Sequence, residues 1–160
     1  DIKLIYRDEF RVAQKALEFI NEAFGTDLPE DEAGFIAFHF VNAAGAENME
    51  ETVQKTTMVQ DILTIIRNYF KITFQEDSLD YYRLITHLKF FVQRMTERTI
   101  LSPSAGDVQL LELVENNYQE SYECVKRIAK YIHLQFGYLI SGEEKLYLTI
   151  HIERVRAHNA

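Results

Sequence analysis

One sequence pattern occurs twice in this chain, at a fixed spacing. His39 and His151 are 112 positions apart, and the same offset aligns the residues around them without a gap. The aligned pairs are similar or identical: Tyr6 with Tyr118, Phe10 with Tyr122, Ile20 with Ile132, Phe24 with Phe136, Gly25 with Gly137, Leu28 with Ile140, Glu32 with Glu144, Phe35 with Tyr147 and Ile36 with Leu148. Similarity within a chain at a fixed spacing indicates a repeated structural module.

The apolar residues of the first copy recur with the period of a helix. They stand three or four positions apart, at Phe10, Ala13, Leu17, Ile20 and Phe24. Gly25 is placed to end this helix in a left-handed conformation, and Pro29 suits the first turn of the next one. Two prolines and six glycines among 160 residues favour long helices over many short strands. The predicted class is therefore all-α, a helical bundle.

The rest of the chain also has helical patterns. Further helices are expected over about 52–70, from a cap at Ser78 to Arg94, and from about 107 to 136 with a break near Asn116. Residues 43–48 are predicted to be a linker, and residues 102–106 a loop.

The last segment fits two kinds of secondary structure. Ser141 followed by Glu144 predicts a capping box that opens a final helix. The alternation of Leu146, Leu148, Ile150 and Ile152 with more polar residues also fits a strand. The capping box and the equivalence with the stretch around His39 favour the helix.

The repeat also predicts the domain boundary. Residues 50–160 are expected to form one complete module of about five helices. Residues 1–49 are expected to be the later part of a first, truncated module plus the linker. The missing front of that module should contain a counterpart of the helix that carries His87.

Three histidines are candidate reactive groups. His39, His87 and His151 each lie on a predicted helix with bulky apolar residues three or four positions away. Neutral imidazole is a competent nucleophile near pH 7, and arginines such as Arg83 and Arg94, on the helix of His87, can hold a phosphoryl group. A single histidine in such a place is more often a hydrogen-bonded, part-buried residue. The repetition and the arginines favour phosphoacceptors for His87 and His151.

Other functional classes have less support in the sequence. A metal site is disfavoured because none of the three histidines has a second histidine three or four positions on, and Cys124 is isolated. Neither a Gly-rich phosphate loop nor a nucleophile elbow nor an HExxH motif is present, so the chain is predicted not to be an enzyme and to need no cofactor. Cys124 is interpreted as a small buried hydrophobe.

Charge and hydropathy limit the partners. A formal net charge of -8 argues against RNA binding by this stretch itself. No run approaches eighteen apolar residues, so no membrane span is expected. A single cysteine fits a reducing cytoplasm. The start at Asp1, without an initiator methionine, suggests a cut inside a longer protein.

Three stretches carry a resemblance to a known family. They are Leu28-Pro29-Glu30-Asp31-Glu32-Ala33-Gly34-Phe35-Ile36-Ala37-Phe38-His39, Tyr82-Arg83-Leu84-Ile85-Thr86-His87-Leu88-Lys89-Phe90-Phe91 and Tyr147-Leu148-Thr149-Ile150-His151-Ile152-Glu153-Arg154-Val155. In this order they resemble the PTS regulation domains (PRD fold) of BglG/LicT-type transcriptional antiterminators. The resemblance covers essentially the whole chain.

The resemblance implies a phosphorylation-controlled homodimer. His87 and His151 would be phosphorylated by the phosphocarrier HPr to activate, and His39 by the sugar permease (EIIB) to inhibit. RNA would be bound through an N-terminal domain that this stretch does not include. Because the chain is already acidic, Arg83, Arg94 and Arg154 are the candidates to contact the phosphates. The alternatives are a regulation domain of a PTS-controlled transcription activator and a metal-binding or structural helical dimer.

Overall fold

The computed structural model describes residues 2–45, 48–98 and 105–159, and within these ranges its regular secondary structure consists of helices, without strands. The prediction of an all-α fold is confirmed. The helices are α1 (Ile2–Ile5), α2 (Arg7–Phe24), α3 (Asp31–Gly45), α4 (Met49–Phe70), α5 (Leu79–Thr96), α6 (Ala105–Asn117), α7 (Gln119–Phe136) and α8 (Gly142–Asn159). The chain divides into two compact units, Asp1–Met58 and Val59–Ala160, with the division inside α4.

The first unit has a small core between α2 and α3. Its buried side chains are Phe10, Ala13, Leu17, Ala33 and Ala37, with Ile2 and Ile36 packed against them. The fully buried residues that α3 contributes are two alanines, so this side of the core buries little apolar surface.

The second unit is built around α8, which packs against α5, α6 and α7. Its buried residues are Glu144, Leu146, Leu148, Thr149, Ile152 and Val155. A helix with neighbours on several sides buries side chains around most of its circumference. This explains why the sequence of α8 alternates like a strand although the segment is helical.

The two copies of the repeat have the same local structure. Helices α2 and α7 each have 18 residues and follow a tyrosine, Tyr6 (φ -118°, ψ 60°) or Tyr118 (φ -124°, ψ 53°). Each helix ends at a glycine in the left-handed conformation, Gly25 with φ 61° and Gly137 with φ 72°. Glycine takes this conformation without the steric cost of a Cβ atom.

Two of the predicted helix caps are present. The Ser78 hydroxyl accepts a hydrogen bond from the backbone N–H of Tyr81 (3.1 Å), and the Ser141 hydroxyl accepts one from Glu144 (3.2 Å). The second half of the predicted capping box is wrong. The Glu144 carboxylate binds the Arg94 guanidinium instead of turning back to the backbone of Ser141, because a bidentate ion pair is a stronger partner than one amide.

Two predicted connections are shorter than expected. Residues 43–45 of the predicted linker belong to α3, consistent with the high helix propensity of alanine. Asn48 then caps α4, accepting from the backbone N–H of Glu51 at 2.9 Å, while residues 46 and 47 lie outside the described ranges. Of the predicted loop, residues 102–104 lie outside the described ranges, and Ala105 and Gly106 open α6.

Two other predictions concern burial and hydropathy. Cys124 is completely buried, as predicted for a small hydrophobe, and its burial raises the pKa of the thiol to about 12. None of the helices that the structure describes has the length and apolar character to cross a membrane.

Candidate functional site

His87 and His151 come together in the second unit. His87 lies in the middle of α5, and His151 in the second half of α8. Leu88 and Ile152, the residues that follow them, are completely buried and anchor the two helices in the core. The two imidazole rings face each other with centroids 4.6 Å apart and ring planes inclined by 32°.

Aromatic side chains close one side of this histidine pair. The Phe91 ring lies 6.5 Å from the His87 ring and nearly parallel to it, and the Tyr147 ring lies at 6.2 Å. As a result, Nε2 of His87 is buried and has no hydrogen-bond partner. An unpaired buried polar atom costs about 1–3 kcal/mol. A buried polar atom without a partner calls for an explanation, and a functional role of the ring nitrogen is one.

The surroundings keep both rings neutral near pH 7. Burial, followed by the charges of His151 and Arg94, lowers the pKa of His87 to about 3. Burial also lowers the pKa of His151, with Arg154 and Arg83 acting in the same direction and Asp80 against it. Neutral imidazole has a free lone pair, so both histidines are present as nucleophiles.

The three candidate arginines differ in their ion pairing and exposure. Arg94 forms a bidentate ion pair with Glu144, with Nε–Oε1 at 2.7 Å and Nη2–Oε2 at 3.1 Å. The Glu144 side chain is only 9% exposed, so this pair is well shielded from water. Arg83 and Arg154 are exposed, and their charges act on His151.

A polar contact joins the start of α5 to the end of α8. Nδ1 of His158 lies 2.5 Å from Oδ2 of Asp80 and 3.0 Å from the backbone oxygen of Arg154. Sequence reasoning missed this pair and the Arg94–Glu144 pair. Both connect distant segments of the chain, and nothing in the local pattern of either helix indicates them.

His39 has different surroundings from its repeat equivalent His151. It is exposed on α3, and Phe35, one turn before it, is 64% exposed. The first unit therefore presents a histidine at its surface, whereas the second unit encloses two.

Metal ligation was the competing interpretation of the histidines. Over residues 2–45, 48–98 and 105–159, no group of three or more His, Cys, Asp and Glu side chains is arranged to hold a metal ion. The His87–His151 pair has Phe91 and Tyr147 as further neighbours, and neither side chain is a strong metal ligand.

A comparison with known protein families agrees with the all-helical fold described above. The PRD domain family matches residues 1–43 and 60–155, and the chain belongs to this family. The two matched segments lie on either side of the division between the compact units.

Among curated proteins, the chain is similar to transcription antiterminators. It is 46% identical over 155 residues to "Transcription antiterminator LicT" of Bacillus subtilis (strain 168), covering 97% of this chain and 55% of that protein. It is 40% identical over 157 residues to the "Beta-glucoside operon antiterminator" of Dickeya chrysanthemi, covering 98% and 55%. It is 28% identical over 151 residues to the "PtsGHI operon antiterminator" of Bacillus subtilis (strain 168), covering 94% and 53%. The chain thus spans about half the length of these relatives.

Proposed function

We propose that this chain is the regulatory part of a transcription antiterminator for a sugar-utilisation operon and that His87 and His151 accept phosphoryl groups from HPr. The observation that carries the proposal is the contact between two neutral imidazoles, 4.6 Å apart, with arginines close to both rings. The antiterminator function is supported by the names of its relatives.

The residues suit phosphoryl transfer. The lone pair of a neutral imidazole nitrogen attacks the phosphorus of a phosphohistidine on the donor, and an N–P bond forms. The N–P bond of the donor breaks, and its electron pair stays on the donor imidazole. Arg83 and Arg154, which act on His151, stabilise the negative charge of the group in transit. The chain supplies an acceptor and positive charge and is not itself an enzyme.

The proposed output is a change in association. Each phosphate adds about -1.5 to -2 charges at pH 7 to a chain whose formal net charge is -8. Recruitment of arginines by this charge shifts a homodimer from a loose to a closed form. RNA contact belongs to another domain of such proteins, since this stretch is acidic.

The first unit has the opposite role in the proposal. His39 is the acceptor for the sugar permease (EIIB), and its phosphorylation inhibits. Its exposed position on α3 supports access by a large donor protein. In the same proposal, residues 1–49 are the later part of a first regulation domain with its linker, and residues 50–160 are the second. The site of action is the cytoplasm, where the phosphotransferase proteins are found.

A labelling experiment tests the assignment of the acceptors. The chain is incubated with phosphoenolpyruvate, enzyme I and HPr, and acid-labile phosphate is counted. The double variant His87→Ala, His151→Ala should lose more than about nine tenths of the label. His133→Ala, which removes an exposed histidine from α7, is the matched control and should label like the parent. Full labelling of the double variant would show that the acceptors lie elsewhere.

The association step has its own test. Aspartate supplies one negative charge in place of a phosphate and can still recruit an arginine. Sedimentation equilibrium of the double variant His87→Asp, His151→Asp should show a tighter dimer than the parent. An unchanged or weaker dimer would contradict phosphorylation-driven closure, even with both histidines labelled.

A further inference from the structure

The histidine pair places two candidate acceptors side by side. The ring centroids are 4.6 Å apart, which is close to van der Waals contact between the rings. A phosphoryl group bonded to a ring nitrogen of either histidine lies in the plane of that ring, and it places a tetrahedral, charged group within a few ångströms of the other ring. Phe91 and Tyr147 limit the movement of the His87 ring away from His151.

The available cations match a single phosphate. Arg94 is already bound by both oxygens of Glu144. Arg83 and Arg154 carry two positive charges near His151, and Asp80 carries one negative charge. This local charge cannot offset two phosphates of about -1.5 to -2 charges each. A second phosphate a few ångströms away would be repelled by the first, and this repulsion is strong in surroundings that are only partly hydrated.

We propose that His87 and His151 form one acceptor site that holds a single phosphoryl group per chain while α5 and α8 remain packed. The group enters at His151, which is near the charges of Arg83 and Arg154, whereas Nε2 of His87 is buried in the packed state. The first phosphate suppresses the second. This inference rests on the proposed function, since it concerns the same two acceptors.

Each transfer is balanced. The attacking nitrogen of His151 forms an N–P bond as the N–P bond of the donor breaks, and the electron pair stays on the donor nitrogen. The proton on the other nitrogen of the His151 ring is released, and the departing donor ring takes up a proton. No oxidant or further reactant is involved.

The test counts phosphates on single chains. All proteins carry His39→Ala, and groups on the exposed His133 and His158 are counted separately from those on the pair. After reaction with phosphorylated HPr, intact-mass spectrometry at alkaline pH follows chains with one and two groups, and peptide mapping locates them. The singly modified chain should accumulate with its group on His151. The second group should be added at least tenfold more slowly. Two groups added at similar rates, or a first group on His87, would overturn the inference.

Two further arms separate this inference from the proposed function. His87→Ala should still take up one phosphate. His151→Ala should do so too, because loss of the His151 ring opens space beside His87, so the summed capacity of the two variants exceeds that of the parent. Because an alanine variant can fail to fold, the parent is also treated with phosphoramidate, a small donor whose P–N bond breaks with release of ammonia. One group from phosphoramidate but none from HPr would refute the proposed donor and support the single site. Rapid addition of two groups from phosphoramidate, both mapped to His87 and His151, would refute the single site and leave the proposed donor untouched.

Discussion

Helices α2 and α3 of the first unit and α7 and α8 of the second share a sequence register but surround their histidines differently. The tyrosine that precedes the first helix and the left-handed glycine that ends it are the same in both pairs. His151 nevertheless lies half-buried against His87, whereas His39 is exposed.

The difference follows from what covers the second helix of each pair. Ile152 of α8 is completely buried, but its repeat equivalent Phe40 on α3 is 39% exposed. Tyr147 is 39% exposed and packs on His87, while its equivalent Phe35 is 64% exposed. Helix α5 supplies the covering surface in the second unit, and the described part of the first unit contains no counterpart of it. The two-helix pair sets the position of the histidine on the second helix. A third helix packed against that position sets how far the imidazole is buried.

The largest expected difference between the two units concerns the packing of these equivalent positions. Ile152→Ala leaves a cavity in a filled core and should lower the free energy of unfolding by about 2–5 kcal/mol. Phe40→Ala should cost about 1 kcal/mol or less, since much of that ring is already in water. Urea denaturation followed by circular dichroism measures both. Equal losses would mean that the outer face of α3 is covered in solution.

The next effect concerns the ion pair between Arg94 of α5 and Glu144 of α8. Arg94→Ala leaves the Glu144 carboxylate almost buried and without its partner, at a cost of about 1.5–3 kcal/mol for charge-assisted hydrogen bonds. Arg11→Ala in the first unit removes the exposed Arg11–Asp8 pair (3.9 Å) and should leave the stability nearly unchanged. The same denaturation experiment compares the two variants. A harmless Arg94→Ala substitution would show that this pair does not hold α5 to α8.

The smallest effect is a dependence of stability on pH. Unfolding returns His87 from a pKa of about 3 to its ordinary value near 6.5. The unfolded chain therefore binds the extra proton in this window, and the free energy of unfolding falls as the pH is lowered. The slope for one proton is at most about 1.4 kcal/mol per pH unit.

The cleanest interval for this measurement is pH 6.5 to 5, before most carboxylates titrate. His151 contributes in the same direction, because its pKa is also lowered. His87→Asn should have a shallower slope than the parent, whereas His39→Asn serves as the control from the exposed site. A slope that does not change in His87→Asn would contradict the burial of that ring in solution.

Local features of the chain were predictable from the sequence. The helical period, the glycine at the end of α2 and of α7, the serine caps and the positions of the histidines all depend on residues close to one another in the chain. The Arg94–Glu144 and His158–Asp80 pairs were not predictable, because they depend on how helices distant in sequence pack together. The exposure of His39 was not predictable for the same reason, since it depends on which helix covers α3.

The central claim is that α5 and α8 hold His87 as a part-buried, neutral imidazole against His151, with its Nε2 atom shielded from water. Long-range ¹H–¹⁵N NMR spectra of the imidazole rings, recorded between pH 8 and pH 5, test it directly at each histidine. We expect the His87 ring nitrogens to keep the chemical shifts of a neutral imidazole down to pH 5, and the His151→Ala variant to show a raised pKa for His87. Protonation of His87 with a midpoint near 6.5 in the parent would contradict the claim.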